Sequence, residues 1–520
     1  MEEISLAEQY VSVDEMLHHV GEFGRFQWMI QLLLCVMQFP PTFPSLIMYF
    51  AALTPAWRCS TNHNNSFCNS TNRVFPYSDE RRCEWPREEW EYVKWKGYSV
   101  VTQYDISCAN HWYIYLTTSL CFIGMAFGSI AMGYLGDRFG RKRVLFPAMF
   151  CLCLVTLLSV FAPTIEWFLA SRFLVGFLRS GTSVFMMLVA SELTGNRYRP
   201  LAGSTLRMIL PIANCVMGVQ AYYVDGWKNL FILCSAPYLL TVFFYKLVPE
   251  SVRWLRLRGH HDKVMKTFER IAKFNRKSIP ANVFLAPLPK DIAVSKAGIA
   301  QLFTTFRRSL STLNLGWAWM AASIVYFGVS LAADDLGGSI YVNFILVSLV
   351  EFPAGLATIY FLNTFGRKKT IIGTLLSGSV GCAALACIPA TTGYYKIVRV
   401  SLGLVSKFLI TVSYSSIYTW TVEIFPTTVR AVGMGFTQFT SRMGAAMAPI
   451  VAKGLKTWNP IAPFLFMGVV GIVTSLLLTF LRETKGRPTK ETMQRPTAVA
   501  VVEKKDQPPD IGVSNKGASC

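Results

Sequence analysis

Long apolar stretches separated by short polar ones recur along almost the whole chain. A run of about 20 apolar residues forms a helix long enough to cross the ~30 Å hydrocarbon core of a bilayer. The pattern predicts twelve such helices, at 26–53, 112–135, 144–161, 167–191, 201–224 and 228–248, then at 315–333, 340–362, 370–388, 396–421, 431–455 and 463–481. Four polar regions frame them: a short N-terminus (1–25), a loop (54–110), a linker (249–314) and a tail (482–520). The expected class is an all-α membrane protein with twelve transmembrane helices in two six-helix halves. An even number of crossings returns the tail to the side of the N-terminus.

Composition agrees with this pattern. The 520 residues are 52% hydrophobic and only 15% charged, with a mean hydropathy of +0.37. These values exclude a disordered chain and an ordinary soluble one. The net charge of +20 raises the question of nucleic acid, but the basic residues sit in short segments between apolar spans. From Pro249 to Asn314 there are 13 basic and 4 acidic residues, and Asp137–Arg143 holds four basic and one acidic. The 54–110 loop has seven of each. Loops rich in Lys and Arg stay in the cytoplasm, which places the linker and both termini inside and the 54–110 loop outside. No nucleic-acid partner is expected; the bilayer is. Met1–Glu22 has no signal-peptide pattern, so the first span serves as the insertion signal. The basic, Pro-containing tail reads as disordered.

Four of the thirteen cysteines (Cys59, Cys68, Cys83 and Cys108) fall in the exterior loop. In an oxidising compartment they read as two disulfides with three possible connectivities. The sequons at Asn64 and Asn69 make the same loop a glycosylation candidate. A metal site is the weaker reading, since the loop contains no CxxC pair. No metal or organic cofactor is expected. Cys520 ends the chain and is not part of a prenylation box.

The two halves repeat one another. Gly133-Tyr-Leu-Gly-Asp-Arg-Phe-Gly-Arg-Lys-Arg143 follows the second span, and Asn363-Thr-Phe-Gly-Arg-Lys-Lys369 follows the eighth, with Gly140 and Gly366 separated by 226 residues. Glu192 precedes Arg199 by seven positions and Glu423 precedes Arg430 by seven, the two pairs offset by 231. Two motifs repeating at nearly one spacing indicate a duplicated six-helix unit, a design common among secondary transporters. The Gly-x-x-x-Asp-Arg-x-Gly-Arg-Lys loop resembles the signature of the major facilitator superfamily. Further residues carry the resemblance toward one family: Pro249-Glu-Ser-Val-Arg-Trp-Leu255, Glu423-Ile-Phe-Pro-Thr-Thr-Val-Arg430, Gly21-Glu-Phe-Gly-Arg-Phe-Gln27 and the cysteine-rich loop. Together they resemble the organic cation, organic anion and carnitine transporters, and Gly338–Pro353 and Lys407–Pro449 are most similar to the carnitine-type and anion-type branches. The resemblance implies the major facilitator fold, with transport by alternating access in a monomer at the plasma membrane.

The charged residues of the repeats (Asp137, Arg141, Glu192, Arg199, Arg367, Glu423 and Arg430) map to helix ends on the cytoplasmic side. As exposed surface pairs each contributes ~0–1 kcal/mol. As a gate, carboxylates and guanidiniums from opposite halves close that side and separate when the halves rock, and marginal energies suit a bistable element. In the second loop Asn363 stands where the first has Asp137.

Charges inside the spans bear on the substrate. At 1.5 Å per residue, Arg442 lies ~18 Å into the membrane from Arg430, and Arg179, Arg207, Lys407 and Glu351 lie ~12–24 Å from the cytoplasmic face. A guanidinium so deep needs a partner or a watery cavity. Arg172, twenty residues before Glu192, is expected to snorkel to the outer interface. Trp319 and Tyr326 are seven apart on one helical face, and Tyr414, Ser415, Tyr418 and Trp420 lie on the tenth span. In the family, positions matching Trp319, Tyr326, Glu351, Arg207 and Arg442 line the central cavity. The cation branch has an acid where this chain has Arg442; the anion and carnitine branches have Arg. Arg207 replaces a residue usually uncharged there. Carnitine-type members carry an Asn near the position of Pro41, so the coupling ion, sodium or proton, is not specified.

The leading reading is therefore a transporter of small organic ions, favouring anions or zwitterions such as carnitine. Organic cations are the alternative, because Glu351 is available. A non-transporting receptor or vesicle protein is a second class, opposed by the intact gate motifs, and uptake into vesicles separates the two. A membrane enzyme is the third, and nucleotide-loop, zinc-protease and nucleophile-elbow patterns are all absent from the sequence.

Overall fold

The computed structural model describes residues 9–60, 74–75, 80–280, 283–286, 299–332, 339–388, 394–425 and 429–485. Helices stand at all twelve expected places. Spans 2 to 5 are Trp112–Phe139, Arg141–Leu158, Ile165–Glu192 and Arg199–Tyr223. Spans 7, 9 and 10 are Phe306–Leu331, Arg367–Cys387 and Tyr394–Ile424. Among the described residues ten helical segments, with spans 1, 6 and 8 counted across their breaks, are long and apolar enough to cross a membrane. Span 11 (Arg430–Pro449) misses on polarity, carrying Arg430, Gln438 and Arg442, and span 12 (Ala462–Leu478) is only 17 residues long.

Several spans are broken where apolarity alone predicts continuity, and proline is the recurrent cause. Span 1 begins as Arg25–Met37, then passes through the short turns Phe39–Thr42 and Phe43–Ser45 to Met48–Ala51. Pro40, Pro41 and Pro44 remove three N–H donors within five residues, so the i to i−4 ladder cannot run through. Span 8 divides into Ile340–Leu349 and Glu351–Phe365. Pro353 denies the Leu349 carbonyl its donor there, which places the break directly before Glu351. Span 6 continues from Trp227–Ser235 as a 3₁₀ stretch, Ala236–Lys246, and span 11 relaxes into a π-turn, Ile450–Gly454, after Pro449.

Span 2 packs on span 4 in one half and span 7 on span 11 in the other, and the halves meet along spans 2 and 11 and spans 5 and 8. Gly176 allows the first crossing: a Cβ there would lie 1.9 Å from the Cys121 carbonyl oxygen, so only a bare backbone approaches so closely. The halves are joined on the side of the 54–110 loop, the loop face. Ser119 Oγ donates to the Ala446 carbonyl at 2.7 Å, Phe122 meets Phe327 at 4.8 Å, and Phe50 stacks on Tyr341 at 5.5 Å.

The loop carries a small antiparallel sheet, β2 (Trp57–Cys59), β3 (Val74–Phe75) and β4 (Trp90–Tyr92), in the order β3-β2-β4. Trp57, Phe75 and Trp90 form its core. Cys83 pairs with Cys108, which selects among the open connectivities. Cys59 is also disulfide-bonded. Cys68, Asn64 and Asn69 lie outside the described residues.

On the opposite, linker face, the N-terminus is not a loose extension. β1 (Gln9–Val11) pairs in parallel with β5 (Val283–Leu285) of the linker. Ser12 and Glu15 form a capping box that starts the helix Val13–Val20, whose Met16, Leu17 and Val20 are fully buried. That helix packs on the linker helix His261–Asn275. Asn275 ties the layer together, accepting from Phe26 N at 2.8 Å and donating to the Val20 carbonyl at 2.9 Å.

Candidate functional site

On the linker face the two repeated motifs adopt one geometry. Gly140 (φ 107°) and Gly366 (φ 90°) turn the chain between spans 2 and 3 and between spans 8 and 9 in a conformation that L side chains rarely adopt. Each turn is capped by a carboxylate. Glu250 accepts from Lys142 N at 3.0 Å, and Glu483 accepts from Arg367 N at 3.1 Å and Lys368 N at 3.0 Å. A Cβ on Gly140 would sit 2.5 Å from a Glu250 oxygen and one on Gly366 2.9 Å from a Glu483 oxygen. Glu483 belongs to the segment expected to be disordered; its backbone hydrogen bonds hold it, and 486–520 lies outside the described residues. Glu250 and Glu483 are 233 apart, the repeat spacing again, and that spacing is the signal in the sequence that could have found them.

The gate charges pair within halves. Arg141 meets Asp137 at 3.1 Å and approaches Glu192 at 3.9 Å, where there is charge attraction without a hydrogen bond. Arg367 forms a fork on Glu423 at 2.8 to 3.1 Å, and Thr484 donates to the same carboxylate. Arg199 bonds not Glu192 but Asp14, at 2.8 Å, and Arg253 joins it at 2.6 Å. Arg430 donates to the Phe425 carbonyl at 3.3 Å. The expected pairing of these charges across opposite halves is thus absent among the described residues. In an arrangement joined at the loop face, each half instead satisfies its own charges on the other side. Burial raises the Asp14 carboxyl, but Arg253 and then Arg199 outweigh it and hold the group below the usual carboxylate range.

Well inside their lengths, spans 7, 8 and 10 assemble a polar knot in the second half. Tyr326 stacks on Tyr414 with centroids 4.8 Å apart, and Trp319 stands edge-on to Tyr414 at 5.5 Å. The Trp319 indole donates to Thr421 Oγ1 at 2.9 Å. Lys407 has no solvent exposure; it contacts Glu351 at 2.9 Å and donates to Ser330 Oγ at 2.8 Å. Its ammonium lies 3.3 Å from the centre of the Tyr326 ring, while Tyr326 Oη donates to Glu351 at 2.6 Å. Glu351, expected to be available to a cation, is therefore neutralised by Lys407 and hydrogen-bonded by the Tyr326 phenol.

The arginines divide into two kinds. Arg172 is fully buried rather than snorkelling: it donates to the carbonyls of Thr117, at 3.4 Å, and Pro44. Arg179, one heptad on, donates to the Pro41 carbonyl and contacts the Met125 sulfur. Carbonyls freed by the proline-broken first span must find donors inside a bilayer, and these two guanidiniums supply them. Arg179 is accordingly committed to structure. Arg442 and Arg207 are different. Arg442 is half-buried and makes no hydrogen bond or ion pair with any described residue. It shares a helical face with Phe439, which meets Phe127 of span 2 at 6.2 Å, and with Ala445, packed on Phe122 and Met125, so it faces the first half. Its neighbour Ser441 joins Ser323 at 2.7 Å and Tyr414 at 3.2 Å. Arg207 is exposed, yet it lies well off the lipid-facing stripe of Leu201, Ile212 and Val219. Its guanidinium lies 4.1 Å over the Tyr418 ring of the opposite half. Ser415 is half-buried beside Tyr414.

A helical bundle of two repeated halves with a polar centre is the architecture of a membrane transporter of the major facilitator type. The chain belongs to the family described as "Sugar (and other) transporter", whose profile matches residues 74–495. It is 28% identical to the "Organic cation transporter protein" of Drosophila melanogaster, over 92% of this chain and 94% of that one. It is 29% identical to human "Organic cation/carnitine transporter 2" and 27% to rabbit "Organic anion transporter 3", each over 93% of both chains. Among solved structures, the inward-open xylose transporter XylE from E. coli superposes with a TM-score of 0.61 at 16% identity, covering 89% of this chain and 98% of that chain. That likeness establishes the fold. The protein is a transporter and not an enzyme.

Proposed function

We propose that the protein carries small organic anions or carboxylate-bearing zwitterions, carnitine-like betaines among them, by alternating access. One observation carries this reading: Glu351 is already paired with Lys407, whereas Arg442 and Arg207 have no carboxylate partner among the described residues. An unpaired guanidinium in a cavity of lowered dielectric takes a carboxylate through two parallel charge-assisted hydrogen bonds. The half-buried rings of Tyr414 and Tyr418 beside these guanidiniums are the aromatic surface left for the quaternary ammonium of a betaine, since Tyr326 is already held between Tyr414 and Lys407. The printed names of the relatives span cations, anions and carnitine. An organic cation is the second reading, favoured by Glu351 on the aromatic wall, but it must displace Lys407 to reach it.

In this reading the basic linker face is cytoplasmic and the disulfide-bonded loop, glycosylated at Asn64 or Asn69, is outside, in the plasma membrane. A monomer suffices, and sodium or proton coupling is open to the same assay. Labelled anions, zwitterions and cations are offered to cells with and without sodium, with surface expression matched. Arg442→Ala is expected to lower anion or zwitterion uptake about thirtyfold or more, since truncating one partner of a buried charged contact commonly costs ~2–5 kcal/mol. Arg442→Lys retains part of the activity, and Arg442→Asp abolishes anion uptake. Uptake by Arg442→Ala equal to that of the parent overturns the reading and makes the cation first choice.

A further inference from the structure

A groove of about 420 Å³ opens sideways between spans 2, 3 and 4, walled by Met132, Leu135, Phe139, Val144, Pro147 and Leu178. It begins at the linker-face end of span 3. Cys151, also in its lining, lies eight residues past Arg143, ~12 Å up the helix, and Leu178 lies 14 residues before the end of span 4, ~21 Å from it. The groove thus runs from the interface to the middle of the bilayer, the reach of an acyl chain in a leaflet ~15 Å deep. Neighbouring surface residues Ile130, Tyr134, Phe150 and Leu174 are exposed apolar groups, as a lipid-facing wall requires.

Arg143 stands at the mouth, exposed, with no hydrogen bond or ion pair to any described residue. The charges around it are already engaged. Asp137 is bound by Arg141, Glu250 caps span 3, Lys142 lies over the Tyr245 ring and Arg138 over Phe139. An apolar channel ending in a free guanidinium, flanked by two more cations, complements an amphiphile with a net negative head. Phosphatidylcholine brings its own cation to that mouth and fits it less well.

We propose that this groove is a binding site for an anionic glycerophospholipid, one acyl chain along Pro147 and Leu178 and the headgroup on Arg143. Only the assignment to the cytoplasmic leaflet rests on the orientation given above. The anionic surface of that leaflet supplies the ligand.

The test uses full-length protein in nanodiscs of phosphatidylcholine doped with diazirine-bearing phosphatidylserine. Cross-links mapped by mass spectrometry are expected within 132–151 and at 178; cross-links confined elsewhere overturn the proposal, and this arm needs no variant. In native mass spectrometry, Arg143→Gln should lower retention of phosphatidylserine relative to phosphatidylcholine about fivefold, the usual effect of one basic side chain at an anionic surface. Lys263→Gln, on the exposed start of the linker helix, should leave it unchanged, and Ala148→Phe should displace both lipids by filling the groove. Equal losses from the two charge variants, or none from Arg143→Gln, would show only general surface attraction. Nanodiscs present both leaflets alike and need no transport, so failure here is separable from failure of the transport reading.

Discussion

Lys407 is fully enclosed and its charge is tolerable only because Glu351, Ser330 and the Tyr326 ring surround it. Removing one member of a buried pair strands the other, at a cost of ~3–5 kcal/mol, whereas replacing both with neutral groups of similar volume is often neutral. Lys407→Ala is therefore expected to reduce surface expression and melting temperature sharply. Glu351→Gln combined with Lys407→Met should recover both and still carry anions, as measured by surface biotinylation, thermal unfolding and uptake. A well-expressed double variant that carries no anions would place the pair in substrate binding. The contrast with Arg442, which has no such partner among the described residues, is the basis for proposing one cation as structural and the other as a binding group.

The repeated turns act at the scale of elements. A positive-φ glycine and a carboxylate cap at the start of spans 3 and 9 fix where Arg141 and Arg367 point. Asp137→Asn loosens the first of these and should slow turnover while leaving substrate affinity within several-fold, because the motif lies ~18 Å or more from the cavity by helix rise. Unchanged maximal transport in a folded Asp137→Asn protein removes the motif from gating. The spans and both motifs were legible in the sequence, since apolar length and repeat spacing are local properties. Position along a span was legible too: counting sets Arg442, Glu351 and Lys407 well inside their helical segments. Direction was not. Counting cannot tell that Arg179 turns to the Pro41 carbonyl while Arg207 crosses to Tyr418, because that depends on how twelve helices are rotated against each other. The breaks in spans 1 and 8 were present as prolines, but the acceptors they free become visible only with their donors, and the grip of Asp14 on Arg199 joins residues 185 apart.

For the whole molecule, the N-terminal segment fastens the linker to span 5 through Asp14, Arg199 and Arg253. The Asp14 carboxyl titrates lower folded than unfolded, so its contribution is complete above the unfolded value, about 4, and fades as pH falls through the folded one. Thermal melts of the parent should lose more stability from pH 6 to pH 3.5 than those of Asp14→Asn; equal losses exclude the clasp. The Lys407–Glu351 pair also has a consequence in time. Glu351 is synthesised 56 residues before Lys407, so at ~5–20 residues per second span 8 waits roughly 3–11 s for its counter-ion. A lone carboxylate at that depth costs a helix leaving the translocon ~2.5–3.5 kcal/mol. Span 8 should thus linger at the channel until span 10 emerges, the two entering the lipid together. Nascent chains halted just after span 9 are expected to hold span 8 in translocon cross-links, and chains extended past residue 424 to release it. If Glu351→Gln does not shorten that residence, the delay has another origin.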